Sequence, residues 1–245
     1  MNRTSITGLA CLLAVALTAC AGGGEPPAPS SSPASAPLEA LKEPANSMSV
    51  SPPLSPAPVS AEALAAYRAL LAGEPGALDR PPEGLELHQV TLPPAEELEY
   101  VLLDLDGDGG AELVVQMVEQ PQQFNAVFHY GDGELSCWQY DIVEMSCRDY
   151  PLEDGAMVRQ YDTGTGPNRY SNLYTVFRYL PDGETEECAS LAVHQDTQED
   201  GTEVFTYLVD DAEVDQDTFA AEFEELVGSR LLSLEDWTPA TERPG

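Results

Sequence analysis

The chain has 245 residues, 43 of them acidic against 10 basic, for a formal net charge of −33 at pH 7. That balance argues against a nucleic-acid partner, because phosphate binding needs clustered Lys and Arg. The single lysine, Lys42, sits in a proline-rich stretch, so catalysis by a lysine inside a folded core is disfavoured; a hydrophobic content of 42% suffices for one core.

Residues 1–20 read as an export signal. Arg3 supplies the positive end, and residues 6–17 are apolar, with Leu12, Leu13, Val15 and Leu17 among them. The run is shorter than the roughly 20 apolar residues needed to cross a bilayer. It ends in Leu17-Thr18-Ala19-Cys20, which resembles the lipobox of bacterial lipoproteins. The resemblance implies cleavage before Cys20, acylation of its thiol, and a mature protein lipid-anchored on the extracytoplasmic face of the cell membrane. The small residues Thr18 and Ala19 suit approach of a peptidase, and Gly22, Gly23 and Gly24 follow. Cys11 would leave with the signal. An ordinary secretory signal with an incidental cysteine is the other reading. Two or three acyl chains anchor stably, at about 0.8 kcal/mol per buried CH₂.

Residues 21–60 hold ten prolines interleaved with Ser and Ala. Proline removes donors and fixes φ, so a disordered tether is expected. At about 3.1 Å per residue it reaches on the order of 100 Å.

The folded part follows, expected over residues 61–241. Ser60 is a good N-cap for a helix over 61–72, with Leu64, Tyr67, Leu70 and Leu71 on one face and Gly73 as the stop. The period then changes to two. Strands are expected at 100–103, 113–117, 124–130, 134–140, 157–161, 172–180, 189–194 and 203–209. Asp-Gly pairs at 132–133, 154–155, 182–183 and 200–201 punctuate them as hairpin turns. A last helix is capped by Asp215, buries Phe219, Phe223, Leu226 and Val227, and stops at Gly228, with Leu232 and Trp237 packing back on the sheet. The expected fold is α+β: one antiparallel meander with an N-terminal and a C-terminal helix.

Residues 104–112 read Asp-Leu-Asp-Gly-Asp-Gly-Gly-Ala-Glu. Carboxylates fall at loop positions 1, 3, 5 and 9 and glycine at 6. Four like charges in nine residues repel unless a cation sits among them, and calcium takes six to eight oxygens at about 2.3–2.6 Å. The expected ligands are Asp104, Asp106, Asp108, the Gly110 carbonyl and Glu112, around Ca²⁺. An EF-hand would need Glu at position 12, which is Val115. The loop instead resembles the strand-loop-strand calcium loops of FG-GAP repeats, with Glu112 in place of the usual final Asp; a single copy does not support a propeller. An Asp-rich hairpin that binds nothing is the bland alternative.

The run Tyr100-Val101-Leu102-Leu103-Asp104-Leu105-Asp106-Gly107-Asp108-Gly109, the later Asp154-Gly155-Ala156, the Tyr179-Leu180-Pro181-Asp182-Gly183 hairpin and the closing Val214-Asp215 helix with its Phe and Trp resemble uncharacterised lipoproteins of Gram-positive gut bacteria. That group implies no activity.

The segment 101–107 also resembles the first motif of haloacid-dehalogenase-type phosphatases, which would make Asp104 a nucleophile, Asp106 an acid and Asp210-Asp211 a magnesium pair. Asp108 stands where that family places Thr, and the folded part has no lysine. Neither a zinc-protease nor a serine-hydrolase motif is present. His129 and His194 fall in expected strands, where a core or surface role outweighs catalysis. Cys137, Cys147 and Cys188 remain after export, in a setting that permits disulfides. Cys137 with Cys147, ten positions apart, is the favoured pair, and three unpaired thiols are the alternative. The expected function is a non-enzymatic binding module with a structural calcium ion. Its partners would be the membrane, through the anchor, and a cell-surface protein or wall component. A surface hydrolase using Asp104 and Asp106 is the alternative.

Overall fold

The computed structural model describes residues 58–119, 124–142, 147–166, 168–242 and 244. The export signal, Cys20 and the tether before residue 58 lie outside the described residues.

Helix α1 (Ala61–Leu71) begins where Ser60 Oγ accepts the Ala63 N–H at 3.0 Å. It ends in a Schellman arrangement. Gly73, at φ 67°, donates to Leu70 O at 2.9 Å, and the Glu74 N–H reaches Ala69 O at 3.0 Å. Ala63, Tyr67, Leu70 and Leu71 form its buried face.

The strands make two antiparallel sheets. In the first, β1 (Leu98–Leu103), β2 (Glu112–Met117), β3 (Phe124–Gly131) and β4 (Glu134–Ile142) run as a meander. The second meander comprises β5 (Cys147–Pro151), β6 (Met157–Gly166), β7 (Arg169–Tyr179), β8 (Thr185–Thr197), β9 (Glu203–Val209) and β10 (Ala212–Val214). Helix α2 (Gln216–Leu226) follows, and β11 (Thr238–Pro239) then returns to pair with β1 at the edge of the first sheet.

The layers follow from which faces are apolar. Tyr67, Leu70 and Leu71 of α1 pack on Leu98, Tyr100, Leu113, Val115 and Phe128. The opposite face of the first sheet presents Val101, Leu103, Val114 and Val127 to Met157, Phe177 and Tyr179 of the second, with Leu232 and Trp237 packed against that cluster. Helix α2 covers the far side of the second sheet, where Phe219 meets Tyr207 and Phe223 meets Tyr174 edge-on. Because the first sheet is covered on both faces, β2 is buried at five consecutive residues, Glu112 to Gln116, rather than at alternate ones. The described residues belong to one compact unit.

The expected antiparallel fold with its two helices is therefore present, with differences of detail. Strands β5, β10 and β11 were not anticipated, and the strands divide into two sheets. Asp210-Asp211, considered above as a magnesium pair, forms the β9–β10 hairpin turn, with φ of 47° and 62°; Asp210 Oδ1 accepts the Ser190 N–H at 2.9 Å. Gly228 follows the α2 cap Val227 without adopting positive φ, and a Cβ there would meet only the movable end of the exposed Glu224 side chain, so the helix stop does not rest on a left-handed glycine. Cys137 is buried in β4 of the first sheet, with its Sγ 3.1 Å from Gln139 O, whereas Cys147 opens β5 of the second and Cys188 is exposed on β8.

Candidate metal centre

The acidic loop is the connection from β1 to β2, and its ends are fixed by the register Leu103↔Glu112. Within it the backbone curls around its own carboxylates. Asp104 Oδ1 accepts the Gly107 N–H at 2.8 Å, and Oδ2 accepts the Gly109 N–H at 3.1 Å. Asp106 Oδ1 accepts from Asp108 N at 3.0 Å, and Asp108 Oδ1 from Gly110 N at 2.6 Å. These turns need positive φ at Gly107 (77°) and Gly109 (88°), a region costly for any residue with a Cβ.

The outcome is convergence. Asp104, Asp106 and Asp108 each offer a carboxylate oxygen within 4.8 Å of the others, so the cluster can hold a metal ion. Oxygens on opposite sides of one calcium ion stand up to about 5 Å apart, so the spacing is compatible with that ion. Asp106 Oδ2 is sealed from solvent and has no hydrogen-bond partner.

Glu112 takes a different place from the one expected. It is 1% exposed and turns beneath the loop, where Oε2 accepts the Leu105 N–H at 2.8 Å and Oε1 lies 3.0 Å from His129 Nδ1. The extra methylene relative to Asp carries its carboxylate there. Glu112 groups with Asp106 and His129 rather than with Asp104 and Asp108. Gly110 takes part through its N–H, donated to Asp108.

His129, expected from the sequence to have a core or surface role on a strand, lies beside the loop instead. It lies on β3, next to the Phe128 that pairs with Leu113, and this register sets it beside Glu112. Its ring stacks on Trp138 at 4.3 Å and 11°. Trp138 is the extra residue of a β-bulge: Val127 pairs with Gln139 and Phe128 with Cys137, leaving Trp138 between them. A Cβ on Gly131 would strike His129 Nε2, so that glycine leaves the ring its space.

The electrostatics describe a group short of positive charge. Burial raises the Asp106 carboxyl above the ordinary value, and the charges of Asp108 and Asp104 push the same way; the Asp108 N–H and His129 offset this only in part. Burial likewise raises Glu112, against hydrogen bonds from His129 and Leu105. For His129, burial alone would lower the value, but the Glu112 hydrogen bond and the charges of Glu112, Asp106 and Asp108 outweigh it and hold it raised.

Two neighbours brace the loop. Tyr67 of α1 donates its hydroxyl to Ala111 O at 2.8 Å, and burial, followed by the Glu112 charge, pushes that phenol well above its ordinary range. Gly155, in the β5–β6 turn, comes against the Asp104 carbonyl. A cleft of about 460 Å³ lies beside the loop, lined by Asp108, Gly109, Gly110, Glu112 and His129 on one side and by Val59 and Ala63 on the other. Asp104 is not among its lining residues.

In comparisons with known proteins, no family model matches the chain, and no curated protein or solved structure matches it.

Proposed function

We propose that this protein is a membrane-anchored, extracytoplasmic lipoprotein whose folded part is a non-enzymatic binding module stabilised by calcium in the β1–β2 loop. The observation that carries the calcium reading is the convergence of Asp104, Asp106 and Asp108 on one centre, where the buried Asp106 Oδ2 has no donor. A hard dication relieves both the mutual repulsion and the orphaned oxygen, and the donor atoms are all oxygen. The resemblance of the segment to FG-GAP calcium loops points the same way.

The hydrolase alternative requires Asp104 to face substrate. Both of its oxygens are engaged by the Gly107 and Gly109 amides, and the adjoining cleft is lined by other residues. The binding module is therefore the reading we retain. Its partner is a protein or neutral polymer of the cell surface, because a domain this acidic repels anionic polymers.

The test is thermal melting of the full chain. Extracellular-type affinities of about 10⁻⁴–10⁻³ M give a stabilisation of about 1.4–2.7 kcal/mol in about 10 mM calcium. At about 2–4 °C per kcal/mol, the melting temperature rises by roughly 3–11 °C over a chelator control. Asp106→Ala and Asp108→Ala abolish most of the rise while changing the chelator value little. Identical melting curves with and without calcium would remove the structural ion from the reading.

A further inference from the structure

We infer that Asp106, Glu112 and His129 form a second cation site beneath the loop, one that takes a first-row transition-metal dication of the zinc class rather than calcium. Each offers a ligand atom within 4.8 Å of the others. The donor set sets this site apart from the aspartate loop. Calcium is held by oxygen alone, whereas an imidazole nitrogen beside two carboxylates suits zinc, cobalt or nickel.

Three further observations carry it. Glu112 Oε1 and His129 Nδ1 stand 3.0 Å apart, sharing a proton, and two ligands about 2.1 Å from a tetrahedral ion are separated by about 3.4 Å, so a shift of a few tenths of an ångström lets an ion take the proton's place. The pair is also held in place before any ion arrives. Leu105 N–H anchors the other oxygen of Glu112, while the Trp138 face holds the imidazole and the bare Gly131 leaves it room. Such supporting contacts are what orient metal ligands. Lastly, Asp106 belongs to both groups of ligating residues, and its partnerless Oδ2 has lone pairs enough to bridge the loop ion and a cation between Asp106, Glu112 and His129. Three protein ligands leave a zinc-class ion at least one position for water, and Glu112 and His129 both line the 460 Å³ cleft that would admit it.

This site shares Asp106 with the calcium loop but does not depend on it, and the experiment keeps the two apart. The full chain is stripped with chelator, supplied with about 5 mM calcium, and titrated with Co²⁺ while tryptophan emission is followed. Paramagnetic Co²⁺ bound to His129 quenches the stacked Trp138, so emission falls, saturates at one equivalent and recovers on adding Zn²⁺. Asp104→Asn, which touches only the aspartate loop, leaves the quench intact. His129→Gln weakens it at least tenfold. Trp138→Phe removes the signal, while calorimetry of that variant still registers one Zn²⁺ per chain. Where His129→Gln fails to fold, Glu112→Gln replaces it with the same expected loss. No saturable quench in the wild type overturns the inference, and so does a quench undiminished in both His129→Gln and Glu112→Gln. Loss of the calcium response in Asp104→Asn with the cobalt response retained bears on the loop alone.

Discussion

A single glycine decides how closely the β5–β6 turn can approach the acidic loop. Gly155 has φ 80°, and a Cβ there would collide with the Asp104 carbonyl. Gly201 has nearly the same φ, 82°, but open space around it. A left-handed residue with a Cβ costs about 1–2 kcal/mol at either position, so the difference between the two alanine variants isolates the contact. Gly201→Ala should lower the melting temperature by about 2–8 °C, at about 2–4 °C per kcal/mol. Gly155→Ala should lower it further and blunt the calcium response, because the Asp104 backbone must move. Equal losses, with calcium response intact in both, would show that the turn does not support the loop. At this scale the sequence was informative for local groups and silent on distant ones. The alternation of Asp104, Asp106 and Asp108 is a property of consecutive residues, so their convergence was legible. His129 lies 17 positions from Glu112, and the two meet only through the antiparallel pairing of Leu113 with Phe128. Spacing in the chain does not encode that register, so Glu112 was assigned to the calcium shell and His129 to none.

Among the elements, Asp154 acts as a clamp between segments far apart in the chain. Its carboxylate is met by Arg178 of β7 at 2.5 Å and by Arg230, after α2, at 2.5 and 2.6 Å. The Glu153 N–H adds a backbone bond to Arg230 O at 2.8 Å. Burial would raise the Asp154 carboxyl, but the Arg230 hydrogen bond and the charges of Arg230 and Arg178 prevail and hold it below the ordinary value. A carboxyl with a lower value in the folded state favours folding above its unfolded value, and the contribution fades as pH falls through the folded one. Asp154→Asn should therefore melt below wild type at neutral pH. The gap should narrow as pH drops below about 4, and pH-resolved melting of both proteins reads it; a gap that stays constant down to pH 2.5 would exclude the charge as its cause. Element boundaries were legible where one face is apolar and a cap or turn is local, as in α1 with Ser60 and Gly73. Strand β5 escaped because Arg148 and Asp149 break its alternation. Asp149 is nonetheless 3% exposed and bonded to Arg159 and Gln139, so tertiary pairing compensates for the charge. The two-residue Asp210-Asp211 turn hid β10 because neither position is glycine. Periodicity also identifies strands without saying which sheet each joins.

For the molecule as a whole, charge bears directly on how it stays at a membrane. The formal charge of −33 at pH 7 gives no attraction to anionic headgroups. Among the described residues no helix is long and apolar enough to cross a bilayer. The proposed attachment therefore rests on acyl chains at Cys20, each CH₂ contributing about 0.8 kcal/mol. Of the exposed apolar side chains, Val204 and Phe205 are neighbours on β9 and Leu234 lies after α2; two or three side chains bury far less apolar surface than the acyl chains do. Replacing Cys20 with Ser removes the acyl acceptor while leaving the folded part untouched. Wild type should remain with the membrane fraction through a high-salt wash, because acyl burial is not electrostatic. The variant should divide into two forms that mass spectrometry separates. A form cleaved within the signal should be released to the soluble fraction, and an uncleaved form still carrying residues 6–17 should stay. A cleaved variant that sediments with membranes through the same wash would mean that the folded domain carries its own membrane contact, and the lipid-anchor reading would fail.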